Sequence, residues 1–212
     1  MILLVSATTF EIQPTIDWIE QQNLTTKVKV LITGVGSPAT IFSTMKCIAE
    51  EKPELIIQAG IAGTFKPEIN IGEVVIVETE QWCDLGIEDN DEFHNLFEMQ
   101  FAKPNELPYS NGVIACKYPK LNALEQLRKV HAVTSNTAHG NQISIDKIIK
   151  NYNPDIETME GAAVAYICAM EKISFLQIRS ISNIVEPRNR EAWNIQLAVK
   201  NLNKTLQTKL AF

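Results

Sequence analysis

The sequence predicts an α/β fold with a mixed or mostly parallel sheet, and three observations predict it. Apolar runs of strand length recur along the chain, stretches of helical period separate several of them, and glycines stand where runs end. The first run, "ILLVSA" (2–7), is a buried strand. It is short and no basic segment precedes it, so it does not have the make-up of a secretory leader. Glu11 lies just past it, and a helix is expected over 14–22 with Pro14 in its first turn. "VKVLIT" (28–33) is the second strand, and "GVGSPA" (34–39) turns it into a helix over 38–51. "ELIIQAG" (54–60) is the third strand and ends in the glycine-bearing turn "GIAG" (60–63). "EVVIVET" (73–79) follows. Residues 81–110, rich in acids and aromatics, form an excursion from the sheet. Next come a strand at "NGVIAC" (111–116), a helix over 120–129, a strand at "VHAVTSN" (130–136) and helices over 143–151 and 160–171. "SFLQIRSIS" (174–182) is the last strand, and a helix over 189–209 closes the chain.

Composition narrows the function. With 212 residues, 45% of them hydrophobic, the chain suffices for one sizeable core, so residues 1–212 are expected to form a single domain. A net charge of −6 without any basic run argues against nucleic acid or an anionic membrane as partner. No stretch reaches the ~20 apolar residues of a membrane span. Cys47, Cys83, Cys116 and Cys168 are scattered, as in the reduced core of a cytoplasmic protein. His94, His131 and His139 lack ligand spacing, so no metal is expected. "GVGSPA" has the spelling of a dinucleotide fingerprint, but the next strand ends in glycine where a ribose-binding acid belongs. No nicotinamide or other cofactor is expected, and the turn instead lets backbone approach a ligand.

Ligands of open α/β sheets gather at the carboxyl ends of the strands. Glu11, Gly34, Gly36, the 60–63 turn, Glu160 and Asn183 all fall at such ends. "PDIETMEGAAVAY" (154–166) places Glu160 at the mouth of a helix that is apolar all round. Two readings are open there: an acid that merely suits the helix dipole, or a ligand-binding group. Arg179 sits in an apolar strand and needs carboxylate or carbonyl partners. Glu157 and Glu160 are the candidate acids.

Four segments in order then carry a resemblance. "TMEGAAVA" followed by "FLQIRSISN" resembles the M-E-(small)-A-A … R-x-I-S-D signature of the nucleoside phosphorylase and hydrolase superfamily. "LVSATTFEI" is similar to the opening strand and first catalytic acid of its methylthioadenosine/S-adenosylhomocysteine nucleosidases, and "GVGSPAT" and "IIQAGIAGTF" to the glycine turns. The resemblance implies a three-layer α/β/α sandwich with a central mixed sheet and cleavage of the N-ribosidic bond of a purine nucleoside. It also implies that the partner is a small molecule and that the chain forms a homodimer or larger homo-oligomer. Carried to matching positions, it makes Glu11 the general base for water. Glu160 becomes the group that holds the ribose hydroxyls, with Met159 against the sugar. Ile61, Ala62, Gly63, Arg179 and Ser182 line the site, and His139 stacks on or hydrogen-bonds to the base.

Two departures from the family pattern bear on specificity. Asn183 stands where the family has a purine-facing Asp. An amide can accept from N7–H and donate to O6, which suits a 6-oxopurine rather than a 6-aminopurine. Gln58 stands where related phosphorylases carry a phosphate-binding Arg, which favours water over phosphate as second substrate. "DLGIEDNDEF" (84–93) and "SNIVEPRNREAWNI" (182–195) further resemble the futalosine hydrolase branch, which releases hypoxanthine on a route to menaquinone. In that reading Arg188, Arg190 or a basic group of a neighbouring subunit meets the substrate's carboxylate. Trp193 either covers the pocket or anchors the last helix.

Overall fold

The computed structural model describes residues 1–90, 92–119 and 121–209. In chain order these form β1 (Ile2–Ser6), α1 (Thr9–Gln21), β2 (Val28–Ile32), α2 (Ser37–Glu51), β3 (Leu55–Thr64), β4 (Val74–Trp82), β5 (Gly86–Asp89), β6 (Glu92–Asn95), β7 (Ile114–Ala115), β8 (Arg128–Thr134), α3 (Gln142–Tyr152), β9 (Ile156–Thr158), α4 (Gly161–Glu171), β10 (Ser174–Ile184) and α5 (Ile195–Lys209). The main sheet runs β10-β4-β8-β9-β3-β1-β2, and β10 pairs with β3 as well. Five strands therefore close into a ring, from which β1 and β2 extend. The β1–β2, β1–β3, β3–β10, β4–β8 and β8–β9 pairs are parallel, whereas β10–β4 and β3–β9 are antiparallel. The sheet is mixed, as expected.

Side-chain alternation along the strands separates two cores. Leu3, Val5, Val75 and Val77 pack with Val164, Ala165 and Cys47 beneath α2 and α4. Leu4, Ile57 and Ile76 pack with Ile12, Leu202 and Leu206 beneath α1 and α5. The two helix pairs and the sheet make three layers. Each fully buried aliphatic side chain contributes about 1.5–3 kcal/mol of transfer free energy. The buried positions of α4 run from Gly161 to Ala165 and on through Ile167 and Cys168, which accounts for its unbroken apolar sequence. All four cysteines are buried thiols. No helix among the described residues is long and apolar enough to cross a membrane.

Several expected elements are corrected. Helix α1 starts at Thr9 rather than at 14, so Pro14 lies inside the helix and Glu11 in its first turn. The early start follows from Thr8, whose backbone N–H donates to the Glu11 carboxylate three residues on (3.0 Å). The "GIAG" segment is not a turn: β3 continues to Thr64, because β10 and β9 pair with it there. The helix expected over 120–129 is absent from the described part. A single 3₁₀ turn occupies Asn122–Leu124 and β8 begins at Arg128; Lys120 lies outside the described residues. The strand expected over 111–116 shrinks to Ile114–Ala115, and the last helix starts at Ile195 after a 3₁₀ turn at Arg190–Ala192. Strand β9 and the β5–β6 hairpin inside the 81–110 excursion were not anticipated.

Candidate active site

Strands β1, β2, β3 and β10 are mutually parallel, so their carboxyl ends share one edge. Glu11 stands there, only 7% exposed. Its Oε2 accepts from Thr8 N (3.0 Å), Thr8 Oγ1 (2.8 Å) and Ser6 Oγ (3.4 Å), and its Oε1 from Ile61 N (3.0 Å). Gly60 has no room for a side chain, because a Cβ there would strike Arg179 Nη1 and approach Glu11 Oε1 to 2.8 Å. The glycine thus brings the guanidinium and the carboxylate close together across β3.

Glu160 is the residue that precedes α4, and it too is almost fully buried. It makes no side-chain cap to its own helix. Its Oε1 accepts instead from Gly36 N at 3.0 Å. Gly36 has φ of 87°, a conformation that favours glycine, and so aims its amide across the cleft. Burial pushes the Glu160 carboxyl above the usual range, Arg179 and the Gly36 amide pull it down, and the negative charge of Glu11 adds to the push. Glu11, Glu160 and Arg179 therefore form one electrostatic cluster. Arg179 is 1% exposed, and among the described residues its Nε and Nη2 have no hydrogen-bond partner. Besides Glu11, the acids near it are Glu160 and Glu80. Glu157, the other candidate acid, is instead taken by His139.

The capping groups of α4 come from elsewhere. Thr158 Oγ1 accepts from Gly161 N (3.2 Å) and Thr134 Oγ1 from Ala162 N (2.8 Å). Since an orphan amide at a helix start needs only one acceptor, the Glu160 carboxylate is left free for the cleft. Glu160 therefore makes no hydrogen-bonding cap, and only its charge can act on the helix dipole.

The other end of the site is assembled by register. Asn183 on β10 and Glu157 on β9 are both partners of Gly63 on β3. Gly63 leaves space for the Asn183 amide, whose Nδ2 would lie 3.1 Å from an added Cβ. Asn183 Oδ1 lies 2.7 Å from Ser182 Oγ, and Asn183 Nδ2 donates to the Ile184 carbonyl (2.9 Å). Each end of the amide keeps one further hydrogen-bonding position. Ser182 Oγ also reaches the Ala62 carbonyl (3.1 Å). His139 is fixed through its backbone N (3.0 Å) and its Nδ1, both to Glu157. Met159 and Ile61 are half-buried beside the two acids, and Ala62 is buried.

The segment 185–194 is tied at several points around this end. Val185 N donates to the Thr64 carbonyl (2.7 Å), Arg188 N to Gly140 (3.1 Å) and Asn194 N to Ser182 (2.8 Å). The Arg188 guanidinium lies over the Trp193 ring at 5.5 Å. Arg128 is engaged by Glu73 (2.7 Å), away from this edge.

Sequence reasoning named Gly36 and Glu157 but not their partners, Glu160 and His139, and it missed Thr134, Thr158 and Glu80. A pattern of single residues does not reveal them, since each acts through a partner distant in sequence. The T-x-x-E spacing of Thr8 and Glu11 was the one local signal in this neighbourhood. Among the described residues no group of three His, Cys, Asp or Glu is arranged to hold a metal ion.

Comparison with known proteins agrees with this architecture. Residues 19–211 match the Phosphorylase superfamily. The futalosine hydrolase of Streptomyces coelicolor is 29% identical over 180 residues, covering 82% of this chain and 74% of the relative. The 5′-methylthioadenosine/S-adenosylhomocysteine nucleosidase of Pseudoalteromonas translucida is 26% identical over 189 residues, 84% of this chain and 76% of the relative. Among solved structures, the Campylobacter jejuni methylthioadenosine/S-adenosylhomocysteine nucleosidase superposes with a TM-score of 0.77 at 20% identity, covering 98% of this chain and 97% of the other. The Helicobacter pylori futalosine hydrolase superposes with 0.74 at 17%, covering 97% and 96%. With the family matched over nearly its whole length, the chain belongs to the Phosphorylase superfamily.

Proposed function

We propose that the protein hydrolyses the N-ribosidic bond of futalosine, releasing hypoxanthine and dehypoxanthine futalosine, as a step toward menaquinone. The coarser statement, an N-glycosyl hydrolase acting on a purine nucleoside, is supported by the family and by the nucleosidases and hydrolases among its relatives. The observation that carries it is Glu160: a buried carboxylate at a helix start that makes no cap hydrogen bond to its helix and lies within electrostatic reach of a second buried carboxylate, Glu11.

In this reading a vicinal diol donates to Glu160, which Gly36 N–H holds in place. Glu11 removes a proton from a water beneath C1′, with its carboxylate fixed by Thr8 and Ile61. As the glycosidic bond lengthens, positive charge grows on the sugar and the two acids stabilise it. The water oxygen bonds to C1′ as the bond to N9 breaks, and a solvent water delivers a proton to N7 of the departing base. Asn183 accepts from the N7–H so formed at Oδ1 and donates to O6 from its remaining Nδ2 hydrogen. The half-buried His139, held by Glu157, flanks the base. Buried Gln58, where a phosphate-binding cation would be needed, supports water as the acceptor. The partner is a small nucleoside. A second copy of the chain is a further proposed partner, because Ile41, Phe42 and Met45 leave an apolar face of α2 exposed.

A methylthioadenosine/S-adenosylhomocysteine nucleosidase is the second reading, favoured by the relatives of that name. Chromatography of reactions with futalosine, methylthioadenosine and inosine, with and without phosphate, separates the readings. Hypoxanthine released from futalosine without phosphate is expected, whereas release of adenine alone would favour the second. Asn183→Asp should move the ratio of kcat/KM toward 6-aminopurine nucleosides by at least about tenfold. An unchanged ratio would remove Asn183 from base recognition.

A further inference from the structure

The least expected group near the site is Glu80. It is fully buried on β4. Alternation places Val75 and Val77 toward α4 and would point residue 80 away. The register of β4 against β8 slips between Val77 and Thr79, and this bulge turns Glu80 inward beneath the start of α4. There Oε2 accepts from Thr134 Oγ1 (2.9 Å), while Oε1 accepts from Gln177 Nε2 (2.8 Å) and Thr158 Oγ1 (3.3 Å). These are the two threonines whose hydroxyls cap Gly161 N and Ala162 N. Their own oxygens lie 3.0 Å apart.

A hydroxyl has one proton to give. An acceptor behind each threonine draws that proton away from the helix, so the oxygen lone pairs face the two amides. Glu80 supplies both acceptors at once. It is also one of the acids near Arg179. A Cβ at position 161 would overlap Glu80 Oε1 and come within 2.5 Å of Gln177 Nε2. Glycine therefore fills the small-residue place in "MEGAA" because the carboxylate occupies the adjoining space.

We propose that Glu80 is a positioning residue. Acting through Thr134 and Thr158, it caps α4 from within the sheet, and so keeps the Glu160 carboxylate out of the cap and turned to the sugar. The inference rests on the ribose role given to Glu160 above. Glu80 touches neither substrate nor reacting atoms.

Glu80→Gln preserves size but replaces one acceptor oxygen with a donor. If that donor faces Thr134, the hydroxyl proton must turn elsewhere and the lone pairs leave Ala162. The test combines steady-state hydrolysis of futalosine, calorimetric binding of hypoxanthine and hydrogen exchange at the Gly161 and Ala162 amides. In Glu80→Gln, KM for futalosine should rise at least about tenfold, as expected for a misplaced charged hydrogen-bonding group. Hypoxanthine affinity should stay unchanged, because the base end is built from Asn183 and Gly63. Exchange of the two amides should accelerate. A folded variant with wild-type KM overturns the proposal. So does a loss of hypoxanthine affinity parallel to the rise in KM, which would mark a general structural effect.

If Glu80→Gln does not fold, the pair Thr158→Val and Thr158→Ser decides. Val should reproduce the KM rise and Ser should not, while equal behaviour overturns the inference. A wild-type chain that cleaves no nucleoside would instead sink the ribose reading. Unchanged amide exchange in Glu80→Gln would sink the cap on its own.

Discussion

Two helices of this molecule begin beside a glutamate, and the two glutamates are held in opposite ways. At the start of α1, Glu11 reaches back to the N–H and hydroxyl of Thr8, three residues away. The cap is local, and the acid that serves it is also a proposed general base. At the start of α4, Glu160 takes no part in capping. Threonines from β8 and β9 do that work, with Glu80 of β4 behind them. The contrast teaches that an acid at the entrance of a helix does not thereby cap it. Its role depends on which groups already satisfy the exposed amides.

Substitutions at the two acids sharpen this difference. Glu11→Gln should lower kcat by about 10²–10⁴-fold if Glu11 is the base, and should also lower the melting temperature slightly, because an amide caps Thr8 less well than a carboxylate. An active, fully stable variant would break the comparison at its first term. Glu160→Gln should cost roughly 10²–10³-fold in kcat/KM through lost stabilisation of the sugar. It should not lower the melting temperature at neutral pH, and is expected to raise it, since burial disfavours the charge that the substitution removes. Thermal melts of the two variants side by side test this. Equal destabilisation would mean that Glu160 supports its helix after all.

The anchor behind the α4 cap predicts a pH effect. Burial first of all, against hydrogen bonds from Gln177, Thr134 and Thr158 and the charge of Arg179, pushes the Glu80 carboxyl up to about 7. The folded state therefore binds the proton more tightly than the unfolded chain. The stability that Glu80 contributes is complete below its unfolded value and is lost as pH rises through about 7. Urea unfolding at pH 5 and pH 8 should show the wild type losing stability relative to Glu80→Gln, by on the order of 3 kcal/mol at most. Parallel behaviour of the two proteins would place Glu80 outside this linkage. The smallest effect belongs to the local cap: Thr8→Val should cost about 0.5–2 kcal/mol in the same measurement. A cost near zero would show that Glu11 and Ile61 alone define the entrance of α1.

The same contrast accounts for what the sequence made legible. Thr8 and Glu11 are neighbours in the chain, so their pairing is written in the spacing T-x-x-E. The strands β1, β2, β3 and β10 were readable because each is an apolar run, and their parallel order puts Glu11 and Asn183 on one edge; Glu160 follows the antiparallel β9 and joins that edge through Gly36 N–H. The register of three strands at Gly63, which aligns Asn183 with Glu157, was not readable, because β9 has only three residues and carries a glutamate. The inward turn of Glu80 was hidden for a related reason. Period-two alternation is the cue for facing, and a bulge inverts it without any mark in composition. The expected helix over 120–129 failed because a 3₁₀ turn at Asn122–Leu124 gives way to a strand whose partners, β4 and β9, lie far off in the chain.

Strand β10 carries Arg179, Ser182 and Asn183; as far as Ser180 it is hydrogen-bonded to β3 on one side and to β4 on the other, and beyond that to β3. A ribbon flanked in this way gives up its amide protons only when large parts of the protein open together. Arg179 thus stands on a stretch paired on both sides, with Ser182 and Asn183 at its end. The neighbouring segment 185–194 is held instead at a few separate backbone contacts, so the chain around the proposed site divides into a strand paired along its length and a strap tied at points.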